Sequence, residues 1–237
     1  MILKKDVLVA LLLLFVVVDV GCATGTKPSL DATPDAQAIY DPWEPMNRHI
    51  YRFNANFDKF IFLPVVRGYR FVLPQIARTG LSNFFSNIGE STIIVNSILQ
   101  FAPIKTVKCI ARLAVNSTVG IGGFFDVARH WKLPGEHEDF GQTLGFYGMG
   151  PGPYLVLPVL GPSSLRDTGG LVVDRAMISV PFAIWLPSAT PYVTGASLLE
   201  AIQTRDDLSF RYGELGPFEY NLIRGIYLEF REHEVQR

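Results

Sequence analysis

Two cysteines and four histidines in 237 residues leave little material for a disulfide framework or a metal centre. No histidine has a metal-ligand spacing. The densest polar cluster, Glu136-His137-Glu138-Asp139, stands just before an apolar helical run, where acids favour a helix N-terminus. Charge is scarce as well: Asp, Glu, Lys and Arg make up 18% of the chain, against roughly 25% in soluble globular domains. The net charge of −1 removes any electrostatic case for nucleic acid.

Patterns that carry chemistry are equally sparse. Gly161-Pro162-Ser163-Ser164-Leu165 does not match the strand-to-helix elbow of serine hydrolases, and Ser163 or Ser164 is better placed to cap a helix. The glycines at 120–123 and 148–152 have neither the lysine of a phosphate-binding loop nor dinucleotide spacing, so turn chemistry accounts for them. No catalytic residue, cofactor or metal is expected, and a lipid-modifying enzyme is a minor alternative.

What the chain does have begins at its start. Lys4 and Lys5 precede an apolar run from Val7 to Val18, followed by Val20-Gly21-Cys22. This is the n-region, h-region and small-residue site of an export signal, too short for a span of roughly 20 residues. A cysteine directly after the small residue resembles a lipobox, so Cys22 is expected to carry lipid once residues 1–21 are removed. Asp19 departs from that pattern, which favours Leu at this place. Ala23 behind the lipidated cysteine fits the sorting rule for the outer membrane. Residues 22–40 read as a flexible tether and 41–237 as one domain. With Cys22 acylated, Cys109 is left as a buried small hydrophobe in an apolar helix.

Charge is distributed unevenly. None occurs over Ser91–Ile104, Leu113–Phe125, Phe140–Leu165 or Ala176–Leu199, whereas Arg205–Arg237 holds 12 charges in 33 residues. Pro181, Pro187 and Pro191 argue against a span in the 24-residue stretch Ala176–Leu199, which reads as short interfacial helices edged by Trp185 and Tyr192. The charged helices over about 191–237 are expected to face the periplasm.

Helical spacing fills in the rest. Asp41 and Glu44 suit a capping box, and Met46, Ile50, Phe53, Phe57 and Phe60 form one stripe, a core or interfacial face. Short helices follow over Val65–Val72, Gln75 to about Asn87, Ser91–Phe101, Lys105 to about Ser117 and Phe140–Phe146. Tyr154–Leu160 is irregular or partly extended. Helices then run to about Ile178, over Pro191–Arg211 and over Pro217–His233. Thr92, Asn96 and Gln100, four apart, draw a neutral polar stripe along an otherwise apolar helix.

Several segments together resemble the MlaA (VacJ) phospholipid-transport lipoproteins. They are Asp41-Pro42-Trp-Glu44-Pro-Met-Asn47-Arg48, Phe53-Asn54, Asn83-Phe-Phe, Asn96-x-x-x-Gln100, Asn116-Ser-Thr-Val-Gly120, Glu138-Asp139-Phe140-Gly141-Gln142-Thr-Leu-Gly145, Gly152–Pro158 and Leu160-Gly-Pro-Ser-Ser-Leu-Arg166-Asp167. The resemblance implies an all-α, ring-shaped arrangement of short amphipathic and interfacial helices with irregular Gly/Pro-rich loops, held in the inner leaflet of the outer membrane. It implies a passive amphipathic channel that takes mislocalised phospholipids from the outer leaflet and hands them to a soluble periplasmic carrier, maintaining lipid asymmetry, with a trimeric porin as companion. Thr92, Asn96 and Gln100 are the candidate channel-lining residues, with packing between helices as the alternative; the motif residues define the fold. The alternative function is a non-transporting envelope scaffold or porin-tethering lipoprotein.

Overall fold

The computed structural model describes residues 41–185 and 190–236; the signal, the tether and Cys22 lie outside them. Tyr40–Arg237 forms one compact unit. Its elements are α1 (Glu44–Phe57), a π turn (Asp58–Phe62), α2 (Leu63–Val72), α3 (Gln75–Leu99), α4 (Pro103–Thr118), α5 (Val127–His130), α6 (Phe140–Phe146), β1 (Tyr154–Leu157), β2 (Gly161–Ser164), α7 (Leu165–Trp185), α8 (Thr190–Asp207) and α9 (Glu219–Gln236). The fold is mainly helical, as expected, with one small antiparallel hairpin in which Leu155 pairs Ser163 and Leu157 pairs Gly161.

Three local expectations are corrected. The two helices read over Gln75–Asn87 and Ser91–Phe101 are one, because nothing in the Ile88–Glu90 junction breaks the backbone hydrogen-bond ladder. α7 continues through Pro181 to Trp185 rather than ending near Ile178. No capping box forms at Asp41: Trp43 is the N-cap of α1 and makes no side-chain cap bond. The Asp41 carboxylate instead receives Asn47 Nδ2 of α1 at 2.8 Å and two stronger donors brought by α9, Tyr220 Oη at 2.5 Å and Arg224 Nη1 at 2.9 Å.

The interior is polar and the exterior apolar. Among the described residues, 7 apolar side chains are buried against 21 polar or charged ones. Of the apolar stripe, Met46 and Phe53 of α1 and Phe60 of the π turn are exposed, Phe57 is half-buried and Ile50 packs against the core, while Asn47, Tyr51, Asn54 and Asp58, at steps of four, three and four, face inward. Phe71 is 92% exposed and Phe101 77%. In water this arrangement forfeits the burial of apolar area that drives folding. In lipid it costs nothing, because tails solvate Phe and Ile while polar groups must find partners within the protein.

Buried partners therefore join the elements. Packing runs in a closed circuit from α1 through the π turn, α2, α8, α7, α6, α9 and the hairpin back to α1. Asp58–Arg205 fastens the π turn to α8, Arg231–Asp139 fastens α9 to the entry of α6, and Arg224–Asp41 fastens α9 to the entry of α1. A small aromatic core of Tyr51, Tyr154, Val156 and Tyr220 sits where α1, α9 and the hairpin meet. No single described helix is long and apolar enough to cross a membrane; the segment Glu44–Val72 meets α3 at 117°.

Candidate functional site

A cleft of about 430 Å³ lies between α3, α7, α8 and the loop 136–138. α3 supplies Ser82, Phe85, Ser86, Gly89, Thr92 and Ile93, whose steps of three and four place them along one side of the helix. α7 contributes Leu171, Asp174, Arg175 and Ile178, and α8 contributes Glu200, Gln203, Thr204 and Asp207. The wall is thus amphipathic by construction: small hydroxyls and a glycine beside Phe85, Ile93, Leu171 and Ile178.

Most of its charge is already engaged. Glu138 holds Lys105 at 2.5 Å, Glu136 holds Lys108 at 3.0 Å, and Arg175 donates to Glu200 at 3.0 Å. Asp207 accepts from Ser82 Oγ at 2.9 Å and Gln203 Nε2 at 3.0 Å. Asp174 accepts from Asn96 Nδ2 and Phe140 N, both at 3.0 Å. Burial raises its pKa, against the lowering effect of those two donors. The Thr92 hydroxyl is buried at the cleft without a hydrogen-bond partner. Such a wall offers hydrogen bonds to a polar headgroup without a strong ionic trap, and apolar surface to acyl chains.

Of the polar stripe, only Thr92 lines this cleft. Asn96 has no solvent access and bridges α3 to its neighbours, donating to Asp174 and accepting from Thr143 Oγ1 at 2.8 Å. Gln100 donates to the same Thr143 hydroxyl at 3.0 Å.

The remaining motif residues are structural fasteners. Asn47 donates to Tyr154 O at 3.0 Å and accepts from Val156 N at 2.9 Å, while Asn54 donates to Leu157 O at 2.9 Å and accepts from Val159 N at 2.8 Å. Two side-chain amides from a helix thereby cover the open edge of β1. Asn54 also holds Val159 in its left-handed conformation at φ +68°, a strained one for a β-branched residue. Glu44 pairs with Arg48 at 2.6 Å, and the Arg48 guanidinium lies over the Tyr220 ring at 4.3 Å. Pro42 stands in the exposed turn ahead of them.

Asn83 donates to Phe124 O at 3.1 Å. Asn116 donates to Asp126 and receives Ala128 N at 2.9 Å, which ties α4 to α5. Asp139 caps α6 by accepting from Gln142 N at 2.8 Å. Gln142 in turn approaches His137 Nδ1 at 3.2 Å. Gly141 passes so close to Gly170 of α7 that a Cβ on Gly170 would stand 2.3 Å from the Gly141 nitrogen.

Arg166 donates to Asp167 at 2.9 Å within a larger node centred on Arg231. Burial opposes ionisation of Asp167, but the hydrogen bonds and charge of Arg231, with Tyr227 and Arg166, outweigh it and hold the carboxyl far below its ordinary value.

Sequence reading missed Arg231 and Arg224, and with them Tyr220 and Tyr227. All four are spaced four, three and four apart on α9, a signal that was present. Their charge suggested a solvated face; the structure turns them inward and leaves Phe218, Leu222, Ile226 and Phe230 exposed.

These features define a helical protein built to be surrounded by apolar material, with a closed polar framework and an amphipathic cleft. The family model described as MlaA lipoprotein matches residues 39–234, and the chain belongs to that family. It is 39% identical over 221 residues to the intermembrane phospholipid transport system lipoprotein MlaA of Escherichia coli (strain K12), covering 91% of this chain and 82% of that protein. The protein of the same name from Haemophilus influenzae is 31% identical over 169 residues, 70% of this chain and 65% of the relative. A solved structure described as the structural basis for maintenance of bacterial outer membrane lipid asymmetry superposes with a TM-score of 0.69 at 34% identity, over 83% of this chain and 100% of that one.

Proposed function

We propose that this chain is the lipoprotein of an intermembrane phospholipid transport system, set in the inner leaflet of the outer membrane, and that its central cleft is the path a phospholipid takes. The observation that carries the reading is the pairing of that amphipathic cleft with an inverted exterior: apolar outside, polar within, and no described helix both long and apolar enough to span. A protein occupying one leaflet has no need of a span, and a channel open to both headgroups and tails moves lipid without chemistry. The role has the chain remove phospholipids from the outer leaflet and pass them to a soluble periplasmic carrier, beside a trimeric porin. Lipid on Cys22 would deliver and tether it.

The structure moves the informative mutations. Replacing Asn96 by Leu strips partners from half-buried Asp174 and buried Thr143, so it tests stability as much as passage. Gly89→Phe and Thr92→Phe fill the cleft directly. In a deletion strain complemented with either variant, an impermeant reagent should count raised outer-leaflet phospholipid at normal protein level. If a well-folded, filled-cleft variant restored asymmetry as fully as the original chain, the cleft would not be the path. If the deletion itself left headgroup counts unchanged, the scaffold reading would replace transport.

A further inference from the structure

A second cleft, of about 450 Å³, lies on the other side of α8, between the π turn, α2 and the segment after α8, and shares no lining residue with the central one. Its charged lining is all cationic: Lys59, Arg67, Arg70, Arg205 and Arg211, with no acid among the lining residues. Two of these are spoken for, Arg205 by Asp58 at 2.5 and 2.8 Å and Arg70 by Asp206. Lys59, Arg67 and Arg211 have no carboxylate partner among the described residues.

Three unneutralised cations are thus gathered around a wall of Phe60, Leu63, Val66 and Leu208. Like charges set against apolar surface repel more strongly than in open water. The geometry of the main chain contributes: the π turn Asp58–Phe62 breaks the α-helical register where Lys59 and Phe60 enter the cleft, a device common at functional positions. Beside the cleft, Ile61, Val65, Phe71 and Val72 of the same stretch are exposed and apolar, so the cations stand at the border of the lipid-compatible surface.

We propose that this cleft binds a phosphate group through Lys59, Arg67 and Arg211, either the phosphodiester of an anionic phospholipid headgroup or free phosphate. Guanidinium forks match phosphate oxygens two at a time, the ammonium adds a point charge, and the apolar wall takes the glycerol or first acyl carbons. The site stands apart from the transport path, and its test reads binding rather than transport.

The test uses the purified full-length lipoprotein in nonionic detergent, with fluorescent phosphatidylglycerol as one probe and inorganic phosphate as the other. Each cation near an anionic headgroup corresponds to roughly a five-fold change in affinity. The triple variant Lys59→Gln/Arg67→Gln/Arg211→Gln should therefore weaken phosphatidylglycerol binding by at least about ten-fold. The charge-keeping variant Lys59→Arg/Arg67→Lys/Arg211→Lys should retain most of it, and Gly89→Phe, which fills only the central cleft, should leave this component intact. All three side chains are exposed, so thermal melting should be unchanged in the triple variant. Binding of inorganic phosphate with the same residue dependence, and no such dependence for the lipid, would assign the site to free phosphate. Binding of both probes unaffected by loss of the three cations would overturn the proposal.

Discussion

Arg231 and Asp139 meet fork to fork, with Nη1 2.7 Å from Oδ2 and Nη2 2.9 Å from Oδ1, and join the last helix to a loop 92 positions earlier. The same guanidinium reaches Asp167 through Nε at 3.1 Å and Nη2 at 2.9 Å. One side chain thus holds α6, α7 and α9 together at a point where the ring closes.

Removing that cation should be costly. Arg231→Leu takes one of two guanidinium partners from buried Asp167 and the fork from half-buried Asp139, and breaking a buried pair costs about 3–5 kcal/mol, with Arg166 and Tyr227 still on Asp167 placing this variant toward the lower end. Arg231→Lys keeps the charge but loses the fork and should fall between. Thermal unfolding in detergent micelles would rank the three proteins; a leucine variant as stable as the parent would show the node to be ornamental.

Acid should open the ring. Burial works to raise Asp139, Asp167 and Asp206, but arginine hydrogen bonds and charge prevail and their folded pKa values lie below ordinary. Carboxyls depressed in the folded state add stability that is fully present above the unfolded value near ~3.9 and is lost as pH falls through the folded values. Melting temperature should be flat from neutral pH to about 5 and drop steeply below about 4. A midpoint still unchanged at about pH 3 would contradict this.

Asn47 is predicted to be irreplaceable by an apolar side chain of similar size. Asn47→Leu orphans Tyr154 O and Val156 N at the edge of β1, at roughly 1–3 kcal/mol for each buried group left unpaired. Hydrogen exchange at Val156, followed by mass spectrometry, should accelerate well before global unfolding.

The α6–α7 crossing admits no side chain. Gly170→Ala would put Cβ 2.3 Å from the Gly141 nitrogen and 2.7 Å from its Cα, so backbone would have to move. The displacement would pull Asp139 and Asp167 away from Arg231, and the variant should lose more stability than the roughly 1–3 kcal/mol usual for overpacking. Expression level and melting temperature report it, and a Gly170→Ala protein indistinguishable from the parent would exclude so close an approach.

Cys109 should be silent to thiol reagents in the folded protein. It has no solvent access, and burial, with Glu90 close by, pushes its thiol up to about 12. Maleimide should label it only after denaturation; rapid labelling of native protein would mean that α4 opens readily.

Much of this was legible. Phe140–Phe146 follows from sequence pattern, α4 runs within two residues of the Lys105–Ser117 read ahead of the glycines at 120–123, and the scarcity of charge in the middle of the chain announced a protein adapted to lipid. Facing was less legible. Met46, Phe53 and Phe60 mark an amphipathic helix but not which side meets the protein, because period is the same whether the apolar stripe meets a core or a membrane. Asn96 shows the limit for the site: it shares a stripe with Thr92, yet one lies sealed between helices and the other borders the cleft, since α7 crosses α3 at Asn96.

By itself the sequence determined most of the helices and the family-bearing motifs, because these depend on residue type and local spacing. The tertiary structure alone decided that Arg224 and Arg231 of α9 point inward, that Asp41 serves α9 instead of capping α1, and that Lys59, Arg67 and Arg211 share a cleft. Those are relations between residues up to about 180 positions apart, Asp41 and Arg224 among them. Electrostatic pairing in an apolar environment selects such partners by proximity in space, which no periodicity along the chain encodes.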